Sequence, residues 1–176
     1  LFSQGSHYQE EGKGFITTLS ILIIKSSTAH IFHIGDSRIY RIRNRQLELL
    51  TSDHSRKVGD VTYLARAMGL DNKIQVDYRS VSLERGDLFV LTTDGVHDFV
   101  SGEELSGIIN SSASLDEAVI EIHRAALGNG SNDNLSTQII AVDDVAETTQ
   151  QEMYQNLNNL PFPPFLAAGQ IGRAHV

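Results

Sequence analysis

Along this chain the apolar residues follow two different rhythms. As far as Thr93 they come in short runs dense in β-branched types, broken by glycine and small polar residues; from Ser101 to Ala126 they recur three and four apart. The first rhythm predicts strands and the second helices. A strand is expected over Ile16 to Ile24, ending in a turn at "KSS". "AHIFHI" is a second strand and "RIYRIR" a third, with "GDS" between them, so the pair reads as a hairpin with Asp36 at its tip. "RNRQLELL" adds a turn and a short strand, "LTSDHSRK" a polar loop, "VTYLARAMGL" a short helix and "IQVDYRSVSL" an alternating strand. After the turn "ERGD" the run Leu88 to Thr93 is a further strand.

The helical part opens on two capping boxes, Ser101…Glu104 and Ser114…Glu117, in which serine and glutamate each satisfy a free backbone N–H. Leu105, Ile108 and Ile109 follow the first. Leu115, Ala118, Val119, Ile122 and Ala126 form the apolar stripe behind the second. "LGNGSN" stops that helix, and "DNLSTQIIAV" is a final strand beginning at Asp133. Strands, then helices, then one more strand suggest a layered sandwich with mainly antiparallel sheet. From Asp143 the composition turns polar, and "LPFPPFLAAG" is Pro-rich and extended, so a domain over 1–145 and a linker over 146–170 are expected.

Bulk composition narrows the chemistry. The chain has 176 residues, room for one domain with a real core. Its formal net charge of −8 argues against a nucleic-acid or anionic-membrane partner, which would meet a basic face. There is no cysteine, so disulfides, zinc–thiolate sites, iron–sulfur clusters and thiol nucleophiles are excluded, and a cytoplasmic location is expected. No basic segment followed by an apolar one is visible at the start, and the longest apolar run, around "SILII", is too short to span a bilayer.

Three acids draw attention. Asp94 follows the end of one strand, and Asp133 precedes the start of the last. If those strands are antiparallel neighbours, both carboxylates reach one sheet edge, and Asp36 could project the same way. Asp87, at the other end of the Asp94 strand, must lie opposite. An aspartate beside glycine or asparagine is ordinary turn chemistry taken singly. Three that converge need a cation, and an all-oxygen set suits Mg²⁺ or Mn²⁺. His30 and His33, three apart on a strand, point to opposite faces and make a poor metal pair. Arg38 reads as a structural ion-pair partner, and His54 as a loop hydrogen-bonding residue. Glu103, Glu104, Asp116 and Glu117 sit in first helical turns, where the dipole favours negative charge.

The stretches carrying these acids resemble the metal-dependent serine/threonine protein phosphatases, the PPM or type 2C family. "HIFHIGDSRIYRI", "LELLTSDHS", "LFVLTTDGVHDFVSGEEL", "GSNDNLSTQIIAV" and "GKGFITTLSILII" each look like a family block, in order, over roughly residues 12–143. His97 stands where the family often has an aromatic residue, and Ser136 in place of a threonine. The resemblance implies an α+β fold, a mainly antiparallel β-sandwich in α-β-β-α layers, incomplete here at the N-terminus. It implies that Asp94 and Asp133 ligate a dinuclear Mg²⁺ or Mn²⁺ centre and that Asp36 belongs to a looser third site. Water would then attack phosphoserine or phosphothreonine of a protein substrate with no protein nucleophile. The family's early acidic block and phosphate-binding arginine are not found, so the chain reads as a fragment expected to bind metal poorly alone. The linker is similar to that of bacterial chains in which a serine/threonine kinase domain follows, and 171–176, "IGRAHV", reads as an artefactual tail. The alternative is a non-catalytic regulatory module of the same fold acting on a fused or partner kinase.

Overall fold

The computed structural model describes residues 15–146 apart from residue 60. The linker beyond Ala146 and the tail at 171–176 lie outside the described residues. Two antiparallel sheets and a small hairpin account for the strands. The first sheet runs β1 (Leu19–Lys25), β2 (Thr28–Ile34) and β7 (Asp77–Ser82), with β2 central. The second runs β4 (Gln46–Leu49), β3 (Arg38–Arg43), β8 (Leu88–Thr92) and β9 (Thr137–Ala141). β5 (Ser55–Val58) and β6 (Val61–Leu64) pair only with each other.

Side-chain alternation explains the layering. Ala29 and Ile31 of β2 face inward and meet Ile39, Phe89 and Val142 from the second sheet, forming a core between the sheets. The neighbouring positions Tyr40, Ile42 and Val90 face the other way, onto the helices. β8 is therefore apolar on both faces, which is why its sequence is a continuous hydrophobic run rather than an alternating one. Helices α2 (Gly102–Ser111) and α3 (Leu115–Gly128) cover that outer face through buried Leu105, Ile109, Ala118, Ile122 and Ala126. Both N-caps form as expected: Ser101 accepts from the Glu104 N–H and Ser114 from the Glu117 N–H. In the second, Glu117 reaches back one residue further, to the Ala113 N–H. The fold is thus α+β and mainly antiparallel.

Three local expectations are corrected. β2 and β3 are not a hairpin: they lie in different sheets, and each is already flanked on both edges. Gly35–Ser37 is a crossover between sheets, turned by Gly35 at φ +117°, where a Cβ would sit 2.4 Å from Thr18 Cβ. Which strand a run pairs with is a non-local matter that a short polar interruption does not reveal. The segment read as a short helix begins instead with strand β6, paired in register with β5 from the stretch read as loop. Gly59 at φ +63° closes that hairpin, and the β-branched and aromatic residues of "VTYL" favour it over a helix. A short helix not expected, α1 (Asp94–His97), follows β8 directly.

At the end of the sandwich remote from Asp94, Asp87 is fully buried and ion-paired with Arg43 at 2.7 Å. Burial by itself would raise the Asp87 carboxyl, but Arg43 and the Glu84 N–H outweigh it and hold the carboxyl below its usual value. Because the folded pKa is depressed, this stabilisation is complete above the ordinary carboxylate pKa of about 4 and is lost as the pH falls through the lower folded value. Arg43→Met should leave an unpaired buried carboxylate and cost about 3–5 kcal/mol at neutral pH. Urea melts at pH 7 and pH 3 will check it, with the gap from wild type narrowing at the lower pH.

Candidate functional site

The site is built on the end of the second sheet. β8 and β9 are antiparallel neighbours whose last paired residues are Thr92 and Thr137. The chain leaving β8 and the chain entering β9 therefore lie side by side, which brings Asp94 and Asp133 to one edge. Side chains and backbone stitch the two segments together. The Thr93 N–H donates to the Ser136 carbonyl, the Ser136 N–H to Thr93 Oγ1, and the Thr93 hydroxyl to the Asn134 carbonyl. Buried Ser131 donates its hydroxyl to the Gly95 carbonyl at 2.7 Å. Gly95 allows the contact: a Cβ there would lie 2.5 Å from the Asn134 carbonyl oxygen and 3.3 Å from Asp133 Cβ.

Both carboxylates are exposed, and each has one oxygen tied down. Asp94 Oδ1 accepts from the Gly95 N–H and Asp133 Oδ1 from the Asn134 N–H. On the other flank of β8, Arg38 pairs across from Thr92, so Asp36, two residues earlier, reaches the same end of the sheet. Asp36 is half-buried. Desolvation and then the charge of Asp94 push its carboxyl above the ordinary value, with Asp53 and Asp98 adding to the effect. The charge of Asp94 thus reaches Asp36, and Asp94 and Asp133 adjoin through Gly95. Among the described residues, no three carboxylate or imidazole groups stand close enough to hold an ion between them.

Around the acids the chemistry is structural. Arg38 forms a forked pair with Asp53, its Nη2 2.7 Å from Oδ2. Buried His97 meets the Thr92 hydroxyl, and burial followed by the charge of Arg38 lowers its pKa. His33 turns inward to the Ser20 hydroxyl while His30 meets Tyr78 on the other face, so the two histidines do not share a site. A cleft of about 230 Å³ opens beside the acids, bordered by Ser37, Arg38, Thr93 and Ser136. A larger one, of about 460 Å³, lies against His33, Ser52, Asp77 and Arg79, and neither cleft is lined by any of the three acids themselves. Asp98 was missed in the sequence. Its spacing of four from Asp94 in "DGVHD" could have signalled it, since on a helix i and i+4 share a face.

The whole pattern has relatives. A protein-family model described as protein phosphatase 2C matches residues 3–139. The chain belongs to the protein phosphatase 2C family. Protein phosphatase PhpP of Streptococcus pneumoniae is 32% identical over 151 residues, which cover 77% of this chain and 61% of that protein. Serine/threonine phosphatase stp of Listeria monocytogenes is 30% identical over 146 residues, covering 74% and 58%. The solved structure of serine/threonine phosphatase Stp1 from Staphylococcus aureus superposes with a TM-score of 0.67 at 27% identity, covering 80% of this chain and 62% of that one. The chain thus spans about three fifths of the length of these phosphatase 2C relatives. Among the described residues no helix is long and apolar enough to cross a membrane.

The tight approach at Gly95 sets up a test of the site's architecture. Gly95→Ala should cost about 1–3 kcal/mol, because backbone rather than a flexible side chain must give way. Gly107→Ala, on exposed helix α2 with nothing within 4 Å, is the control and should be neutral or stabilising by up to about 1 kcal/mol. Paired thermal melts read both, and equal effects would mean that Gly95 has no special closeness.

Proposed function

We propose that this chain carries part of the serine/threonine protein phosphatase site of a 2C-type enzyme that hydrolyses phosphoserine and phosphothreonine on proteins. The supporting observation is the antiparallel β8–β9 edge, which sets Asp94 and Asp133 side by side with Asp36 in electrostatic reach of Asp94. The donors fit the cations that this family uses. All are carboxylate oxygens, Asp94 and Asp133 each keep a second oxygen beyond the one tied to backbone, and the charge of Asp94, which adds to desolvation in raising Asp36, is of the kind a divalent cation relieves. Asp94 and Asp133 would hold Mg²⁺ or Mn²⁺, and Asp36 would serve a further ion. Bound there, the ions would supply Lewis acidity at phosphoryl oxygens and lower the pKa of water.

The chain's own residues do the rest. The Thr93–Ser136 stitches fix the two carboxylates relative to each other. Asp94 and Asp133 each hold one oxygen oriented through a backbone N–H, which lowers the reorganisation needed when a cation binds. The cleft beside them, bordered by Ser37, Arg38, Thr93 and Ser136, would receive the phosphorylated serine or threonine side chain. This chain supplies no cysteine to act as a thiol nucleophile.

Asp94→Asn and Asp133→Asn, made in the full-length protein, should each lower turnover of a small phosphate ester with Mn²⁺ by more than about 100-fold. Loss of a mere outer-shell partner already costs ten- to a hundredfold. Unchanged rates with the fold intact by circular dichroism would remove this reading and favour the regulatory module.

A further inference from the structure

Resting on the reading that Asp36 serves the phosphatase site, we propose that His54 is a positioning residue, a two-point clamp that fixes the direction in which the Gly35–Asp36 peptide presents its carboxylate. His54 is buried, 19 residues further along the chain, and grips Gly35 twice. Its backbone N–H donates to the Gly35 carbonyl at 2.7 Å, and its ring Nδ1 accepts from the Gly35 N–H at 3.2 Å. Both polar groups of Gly35 are therefore used by one residue.

The clamp is needed because of what Gly35 is. Its φ of +117° lies where residues with a Cβ are strained, and Thr18 leaves no room for one. Glycine alone satisfies both demands, but it has the widest choice of backbone directions, so the local chain does not dictate where Asp36 points. The direction has to be imposed from outside. Ser37 is held by the Thr18 hydroxyl at 2.9 Å on one side, and His54 holds Gly35 on the other.

The ring must carry its proton on one particular nitrogen for this to work. Nδ1 faces an N–H donor, so it must be unprotonated, and the proton sits on Nε2, which meets Asp77 Oδ2 at 2.9 Å. Arg66 donates to Asp77 at 2.8 Å and, with His54, holds that carboxylate down to about 2, keeping it an acceptor. The His54 carbonyl in turn accepts from the Ala65 N–H at 2.7 Å and the Arg66 N–H at 3.3 Å. One residue thus ties the segment leaving β6 and the start of β7 to the peptide that carries Asp36.

Two substitutions separate the clamp from simple core filling. An asparagine Oδ1 stands as many bonds from Cα as His Nδ1, whereas a glutamine amide reaches toward the place of Nε2. His54→Asn should keep the Gly35 bond and lose the Asp77 bond; His54→Gln should do the reverse. Nitrogen-15 NMR of the wild-type chain should show an unprotonated Nδ1 with a coupling across the hydrogen bond to the Gly35 amide. In His54→Gln, backbone order parameters at residues 35–37 should fall from about 0.85 to about 0.6 or lower, and in His54→Asn they should hold. With Mn²⁺ in the full-length protein, His54→Gln should lower kcat about ten- to a hundredfold at unchanged KM, and His54→Asn should stay within about threefold of wild type. Added to Asp36→Asn, His54→Gln should do nothing more, because it acts through that carboxylate.

A protonated Nδ1, unaltered order at 35–37 in His54→Gln, or losses that multiply in the double variant would each overturn the clamp. Full turnover by Asp36→Asn alone would overturn the role assigned to Asp36, while the NMR measurements would still decide whether His54 holds Gly35.

Discussion

Everything at the acidic end of this molecule depends on one antiparallel pairing, β8 against β9. The register that opposes Thr92 to Thr137 decides that the chain leaving one strand and the chain entering the other emerge together. A slip of a single residue would turn every β9 side chain to the opposite face, placing Ile139 between the sheets and Ile140 against the helices. Because both faces of this sheet are buried, such a slip has no cheap alternative packing. The hydroxyls of Thr93 and Ser131 and the backbone of Ser136 then tie the emerging segments together where the sheet ends. Core packing sets the register, and the register sets the acids side by side.

The charged groups of the sandwich divide into two ends with opposite logic. At the far end Asp87 is buried and matched by Arg43, and Arg41 and Arg79 share Glu48, so negative charge is neutralised by the protein itself. At the near end Asp36 is raised by desolvation and then by the charge of Asp94, with Asp53 and Asp98 adding, and among the described residues of this group Asp53 is the one ion-paired, with Arg38. One end is arranged for stability. The other carries unbalanced negative charge, and perturbed titratable groups of this kind cluster at functional sites.

Much of the fold was legible before any coordinates. The helices were marked by their caps and by apolar residues three and four apart, and Ala118, Ile122 and Ala126 are indeed fully buried. The strand beginning at Leu88 followed from its apolar run, whereas the antiparallel pairing of the last strand with it stood only as a condition that the register of β8 and β9 then met. The misread places were those where a local signal had two meanings. "GDS" between two strand-like runs serves a hairpin or a crossover equally well. "VTYLARAMGL" has enough leucine and alanine to suggest a helix, yet begins with residues that favour strand. Asp98 went unnoticed although its spacing from Asp94 was readable, because its charge acts on Asp36, a residue brought near only by the fold.

The sequence by itself determined the kinds of elements, their order, the caps, the absence of thiol chemistry and the three acids worth watching. These depend on backbone dihedral preferences and side-chain period, which are properties of neighbouring residues. Only the tertiary structure decided that β2 and β3 belong to different sheets, that Asp36 feels Asp94, and that a histidine 19 residues away grips the glycine before Asp36. Strand partnership, burial and electrostatic proximity depend on which distant segments meet. No local preference encodes that choice; the joint burial of two sheet faces and a helix layer makes it.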